Sequence, residues 1–209
     1  MTSTASEPRS GRGRRTGRTN EPPGSGAAAE DREPDPESVA RAIALRMLTA
    51  APRSRSQLAE AMARRDVPED VADRVLDRFT DVGLVDDADY ARLLVRSRHA
   101  DRGLARRALA QELRRKGIEE EVAAEALDEL DPEQEEETAR HLVRRRLATT
   151  AGLAPEVRVR RTVAALGRKG YAPGLVFRLV REALAEEGVP NGVGDGAAGE
   201  IILDTGPED

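Results

Sequence analysis

Three segments of this chain repeat one another in order and spacing, and this repeat constrains the fold more than any other feature. The segments begin at Leu58, Leu109 and Thr162, offsets of 51 and 53 residues. Each reads as an amphipathic helix, a short turn and a second amphipathic helix. The matching apolar positions are Met62, Leu113 and Leu166 at the end of the first helix, Val67, Ile118 and Tyr171 after it, and Leu76, Leu127 and Val180 in the second. Chance accounts for one such pair of helices more easily than for three.

Helix start and stop signals add one helix before each repeat. Asp35-Pro36 and Asp86 are favoured helix starts, Ser54 and Gln57 form a capping box, and Gly83 is a stop signal. The pattern predicts about nine helices, near residues 37–50, 54–66, 69–81, 87–100, 104–116, 119–130, 132–148, 155–168 and 173–187. No segment reads as a strand.

These helices predict an all-α fold of three tandem three-helix modules. The modules are expected at residues 37–85, 86–131 and 132–187. A unit of about 50 residues buries little core alone, so neighbouring modules should support one another in an elongated, curved arrangement.

The two ends of the chain differ from the repeats in composition. Residues 1–36 are rich in Arg, Gly and Pro and show no apolar periodicity, so we expect a disordered arm. Residues 188–209 form a Gly-rich acidic tail, also expected to be disordered, with five carboxylates and no Lys or Arg. The formal charge of the tail therefore equals that of the whole chain, -5. Net charge alone gives no argument for nucleic-acid binding.

Composition also argues against several classes of protein. Cys is absent, which excludes disulfides and thiolate chemistry, and the sequence has no apolar run of membrane-spanning or signal-peptide type. It has no glycine-rich phosphate loop after a strand, no cluster of metal ligands and no nucleophile beside His99 or His141, the only histidines. We expect a cytoplasmic protein that is not an enzyme and needs no cofactor or metal.

The conspicuous Gly, Asp and Tyr residues have structural interpretations. Gly83, Gly117 and Gly170 are expected to end helices at positive φ. Asp86 and Asp87 could be a carboxylate pair for metal or acid–base chemistry, but helix capping is favoured because no third ligand lies nearby. Tyr90 has the spacing of a core residue.

Basic residues of the second and third modules are the candidate binding residues. In an ideal helix Arg107, Gln111 and Arg114 form a polar stripe beside Leu109 and Leu113. The candidates are Arg96, Arg98, Arg102, Arg106, Arg107, Arg114, Arg115 and Lys116 in the second module and Arg160, Arg168 and Lys169 in the third. Such a face suits an acidic protein surface or DNA phosphates. A merely solvated surface is the alternative interpretation.

Two sequence motifs resemble those of a known protein family. Two shorter segments add to the resemblance: Arg102-Gly103 lies between the motifs, and Arg168-Lys169-Gly170-Tyr171 follows them. The first motif reads G-L-V-D-D-x-x-Y-A over 83–91, and the second reads E-L-R-R-K-G-I over 112–118. In this order and separation they resemble the RecX family of bacterial recombination regulators, over about residues 37–187. The structural motif residues are Gly83, Asp86, Asp87, Tyr90, Gly103, Leu113, Gly117, Ile118, Gly170 and Tyr171.

The resemblance implies a helical molecule that lies along the RecA filament on DNA and limits its growth, ATP hydrolysis and strand exchange. We therefore expect a monomeric regulator whose partners are the RecA filament and, through phosphates, DNA, with no membrane or small-molecule substrate. The alternative is an independent DNA-binding or transcription protein, since short helices joined at glycine turns also describe helix-turn-helix units. The sequence does not distinguish regulation by capping filament ends, by lying in the groove or by both.

Overall fold

The structure, a computed structural model, describes residues 35–188, and this part of the chain is helical without any strand. Its helices are α1 Pro36–Ala50, α2 Arg55–Ala63, α3 Glu69–Asp81, α4 Asp87–Arg102, α5 Arg106–Arg115, α6 Glu120–Asp128, α7 Pro132–Ala148, α8 Pro155–Gly167 and α9 Pro173–Glu186. The all-α prediction is confirmed. The arm predicted at residues 1–36 and the tail predicted at 188–209 lie outside the described residues, apart from Asp35, Pro36 and Gly188.

The helices pack in groups of three around separate apolar cores. Helices α1–α3 enclose Leu58, Met62 and Leu76, and α4–α6 enclose Leu109 and Leu113. The largest cluster lies among α7–α9 and consists of Ala105, Ala139, Val143, Leu147, Val159, Val163, Leu166, Tyr171, Val176, Leu179, Val180, Ala183 and Leu184. Ala105 precedes α5, so the third core includes one residue of the second group.

Side-chain caps begin several helices where the sequence predicts them. The Asp35 carboxylate accepts a hydrogen bond from the Ser38 amide at 3.2 Å. Ser54 and Gln57 form the reciprocal capping box at α2. Asp86 accepts from the Asp89 amide at 2.8 Å at the start of α4. Each carboxylate or hydroxyl satisfies an amide that has no partner within its helix.

The three predicted glycine stops all have positive φ. Gly83 and Gly117 both have φ of 71° and Gly170 has φ of 91°, which confirms the prediction for all three. Gly103 ends α4 at φ 57°. Asp66 is the one non-glycine residue with positive φ in the described part of the chain, at 58°.

The remaining motif residues contribute to packing. Leu113, Ile118 and Tyr171 are buried, and Tyr90 packs half-buried against the core of the second group. Burial raises the pKa of the Tyr90 hydroxyl and, more strongly, that of Tyr171. Within residues 35–188, no helix is both long and apolar enough to cross a membrane.

Candidate partner-binding surface

The first and second modules meet where the N-terminus of α2 contacts the C-terminus of α5. The Ser54 hydroxyl donates a hydrogen bond to the Lys116 carbonyl oxygen at 2.6 Å. Beside it, the Arg55 amide donates to Asp87 Oδ1 at 2.8 Å. Gly117 lies so close that an added Cβ would be 2.2 Å from the Ser56 hydroxyl oxygen. The contact therefore requires glycine for space as well as for φ.

The second and third modules meet in the same way, one repeat further along the chain. The Ala105 amide donates to the Lys169 carbonyl oxygen at 2.9 Å, and the Arg106 amide donates to Glu135 Oε1 at 2.9 Å. A Cβ on Gly170 would come 2.6 Å from the Ala108 backbone nitrogen. Ala105 and Lys169 are the repeat equivalents of Ser54 and Lys116. The repeat thus extends to the contacts between modules.

The first module has no preceding neighbour in the described chain, and its turn differs accordingly. Asp66 occupies the position equivalent to Gly117 and Gly170, with a similar positive φ. Its side chain is exposed, so a Cβ meets no neighbouring module there. Asp is among the residues that tolerate the left-handed conformation best after Gly. The aligned repeats could have predicted which turns contact a neighbouring module. Glycine is present at the two turns that do, and Asp66 replaces it at the turn that has no module against it in the described chain.

His99 of α4 adds a contact with α7 to the junction between the second and third modules. It is buried, with 7% of its surface exposed. Its Nδ1 lies 2.9 Å from the Leu104 carbonyl oxygen and its Nε2 lies 3.1 Å from Thr138 Oγ1. Both ring nitrogens of His99 therefore have partners, one five residues along the chain and one in α7. His141 is exposed.

The two carboxylates Asp86 and Asp87 serve backbone amides. Asp86 caps its own helix, whereas Asp87 accepts from Arg55 in the preceding module. Burial raises the pKa of Asp87, and the nearby carboxylates of Asp86 and Glu119 raise it further. Within residues 35–188, no three His, Asp or Glu side chains are arranged to hold a metal ion. The geometry at this pair is that of helix caps.

The basic residues of α5 lie opposite its buried side. With 3.6 residues per turn, Arg107, Gln111 and Arg114 fall within about 60° of one another around the helix. All three side chains are exposed, as is Arg115, whereas Leu109 and Leu113 are completely buried. None of these arginines has an acidic partner within residues 35–188. No side chain among the described residues neutralises their charge.

Four of the predicted site residues make contacts within the protein. Arg98 Nε donates to Glu112 at 2.8 Å, which raises the pKa of Arg98. Arg106 donates to Asp128 at 2.8 Å and to the Leu130 carbonyl oxygen at 2.9 Å. The Lys169 ammonium donates to the Arg102 carbonyl oxygen, and Lys116 is half-buried at the first junction. Structural roles account for these contacts.

The other predicted residues are exposed and lack an acidic partner among the described residues. They are Arg96, Arg102, Arg107, Arg114, Arg115, Arg160 and Arg168. Arg145 and Arg146 are not among the candidates from the sequence, because basic residues in the last turn of a helix such as α7 are explained by the helix dipole alone. Both are exposed and also lack an acidic partner in residues 35–188. With Lys169 they border a cavity of about 340 Å³ between α7 and α8.

Comparisons with known proteins agree with this architecture. Models of the first, second and third three-helix domains of RecX match residues 40–79, 86–127 and 133–180. The regulatory protein RecX of Thermobifida fusca is 58% identical over 168 residues, 80% of this chain and 89% of that relative. That of Streptomyces coelicolor is 54% identical over 166 residues, 78% of this chain and 88% of the relative.

Solved structures show the same fold at lower identity. The crystal structure of RecX from Lactobacillus salivarius has a TM-score of 0.65 at 20% identity, covering 72% of this chain and 98% of that one. A second crystal structure, of a regulatory protein RecX, has a TM-score of 0.63 at 24% identity. The match covers 71% of this chain and 72% of that one. The family models and the curated relatives together show that this chain belongs to the RecX family of regulatory proteins.

Proposed function

We propose that this chain is a non-enzymatic, cytoplasmic regulator that binds the RecA filament on DNA and restrains its ATP hydrolysis and strand exchange, acting in recombination, repair and the SOS response. Membership in a family of regulatory proteins supports a regulator. The observation that carries the binding role is the exposed face of α5, where Arg107, Arg114 and Arg115 have no acidic partner within residues 35–188. Exposed guanidinium groups suit carboxylates and phosphates, the two anions that a protein–DNA filament offers.

The junctions between modules support a rigid surface. At each junction a backbone carbonyl at the end of a basic helix accepts a hydrogen bond from the preceding module. Ser54 donates to the Lys116 carbonyl at the first junction, and Ala105 donates to the Lys169 carbonyl at the second. The basic ends of α5 and α8 are thereby fixed against their neighbours. A preorganised surface loses less entropy on binding than a flexible one, so these junctions favour recognition of an extended partner.

A filament assay tests the proposal directly. RecA is assembled on single-stranded DNA, and its ATP hydrolysis is followed with the protein added at substoichiometric amounts. We expect the rate to fall, and the effect to weaken as salt is raised because exposed charge contacts are screened. An unchanged rate at equimolar protein would contradict the proposal. An independent DNA-binding protein would instead bind a preferred duplex without RecA.

A further inference from the structure

One cavity in the described part of the chain combines an apolar floor with three basic side chains. It lies between α7 and α8, where Leu142, Ala165 and Leu166 form the floor. Arg145, Arg146 and Lys169 are the charged residues of the lining, Thr149 completes it, and no acidic side chain lines the cavity. The matching ligand would present apolar side chains flanked by carboxylates.

The sequence after α9 contains a segment of that composition. Residues 200–204 read Glu-Ile-Ile-Leu-Asp, three large apolar residues between two carboxylates. They belong to the acidic tail, which has five carboxylates and no Lys or Arg from 188 to the end. The charge of the tail is thus opposite to that of the cavity lining.

The last described residues lie near the same end of α7. Glu187 Oε2 accepts a hydrogen bond from Arg158 Nη2 at 2.7 Å, and the same nitrogen donates to the Leu147 carbonyl oxygen at 3.2 Å. Leu147 is in the last turn of α7, and the cavity residues of this helix span Leu142 to Thr149. That span is about 10 Å at 1.5 Å per residue.

Chain length places the segment within reach. Thirteen positions separate Gly188 from Ile201, which corresponds to a root-mean-square distance on the order of 20 Å for a Gly-rich chain. A tethered segment at this separation has an effective concentration in the millimolar range, so even weak docking is populated. We propose that the segment Glu200–Asp204 docks in the cavity between α7 and α8 of its own chain.

Docking would cover part of the basic surface. Arg168, an exposed candidate binding residue without an acidic partner within residues 35–188, adjoins Lys169 at the edge of the cavity. An acidic segment held there competes with an acidic partner for the same charges. The tail then acts as an internal competitor that weakens binding, and this second half of the inference rests on the proposed function.

The absence of Cys in the chain permits a direct test in the full-length protein. A single Thr205→Cys substitution carries a nitroxide label, and paramagnetic broadening of backbone amides is recorded by NMR. We expect selective broadening around Leu142, Arg145 and Leu166, lost when Ile202 and Leu203 are both changed to Asp. Arg145→Glu with Arg146→Glu should also abolish it. The matched control reverses Arg46 and Arg65, exposed arginines of the first module, and should leave the broadening unchanged.

Three results would overturn the docking. They are no broadening of the cavity residues, broadening spread equally over all exposed arginines, or broadening seen only between a labelled chain and a separate isotope-labelled one. The last result would assign the cavity to the tail of a second copy.

A separate assay tests the competition. Changing Ile202 and Leu203 to Ser should lower, several-fold, the concentration that half-inhibits ATP hydrolysis by RecA. Cavity broadening with an unchanged midpoint would refute competition and leave docking intact. If neither protein inhibits RecA, the proposed function fails while the NMR result still decides the docking.

Discussion

The Ser54 hydroxyl donates to the carbonyl oxygen of Lys116 across the first module junction and also accepts the Gln57 amide at 3.3 Å within its own helix. This completely buried side chain therefore caps α2 and joins it to α5. Its two bonds connect the local rule for starting a helix with the packing of two modules.

Replacing Ser54 with Ala should destabilise the protein by about 2 kcal/mol. The change removes a helix cap, which typically costs about 1 kcal/mol, and leaves the Lys116 carbonyl without this donor at a cost of the same order. Urea unfolding followed by circular dichroism measures the loss. Ser38→Ala removes an exposed hydroxyl bonded to Asp35 and should change stability by less than about 0.5 kcal/mol. Equal effects of the two substitutions would contradict the junction role of Ser54.

Gly170→Ala should destabilise more than Gly83→Ala although both residues have positive φ. At Gly83 an added Cβ meets nothing within 4 Å, so only the backbone penalty of about 1–2 kcal/mol applies. At Gly170 the Cβ would also meet the Ala108 backbone, and overpacking typically adds about 1–3 kcal/mol. Thermal or urea unfolding of both variants compares the costs. A Gly170→Ala variant as stable as Gly83→Ala would show that the junction adjusts freely.

Replacing Asp87 with Asn and replacing it with Ala should change the stability of the protein differently. Asn keeps an oxygen for the Arg55 amide and removes the buried charge, whereas Ala leaves the amide unpaired and should cost about 1 kcal/mol. Because the folded pKa of Asp87 is raised above its ordinary value of 3.8, this carboxyl contributes more to stability as pH falls through its folded pKa.

The stability of Asp87→Asn should therefore equal or exceed that of wild type near neutral pH, and this advantage should shrink toward about pH 4. Urea midpoints at both pH values measure the difference. An Asn variant that is less stable than wild type at neutral pH, with the gap closing in acid, would mean that the charge stabilises the junction.

Much of the helical architecture follows from local sequence, as α3 and α7 illustrate. Their predicted ranges, 69–81 and 132–148, match the structure because proline and acidic residues define their starts. Helix α5 was predicted from 104 but begins at Arg106. Its N-cap, Ala105, has no side-chain cap, and its amide bonds to Lys169 in another module. Local rules contain no information about such a partner.

The candidate site could likewise be predicted only where it depends on local sequence. The exposed stripe Arg107, Gln111 and Arg114 follows from helical spacing alone. The acidic partner of Arg106 lies 22 positions away in sequence, and local charge patterns cannot identify it. Arg158 is buried, bonded to Leu147 and Glu187, at the repeat position that Ser54 and Ala105 occupy in the other modules. Within residues 35–188 no module packs against this position, and Arg158 instead bonds residues of its own module.

The exposed arginines of α5 can be tested as a group by reversing Arg107, Arg114 and Arg115 to Glu. Arg and Glu have similar helix propensities and these side chains are exposed, so the fold should persist. Loss of a charge pair at a desolvated contact typically costs about 2–5 kcal/mol, and three reversals should abolish binding to the filament. The control reverses Arg46, Arg65 and Arg181, which are exposed and lack acidic partners within residues 35–188.

The decisive measurement is inhibition of RecA-dependent ATP hydrolysis on single-stranded DNA by these two variants, with circular dichroism to verify folding. We predict that the Arg107, Arg114 and Arg115 variant loses inhibition while the control retains it. A folded α5 variant that inhibits as strongly as wild type would contradict the assignment of this surface to the filament.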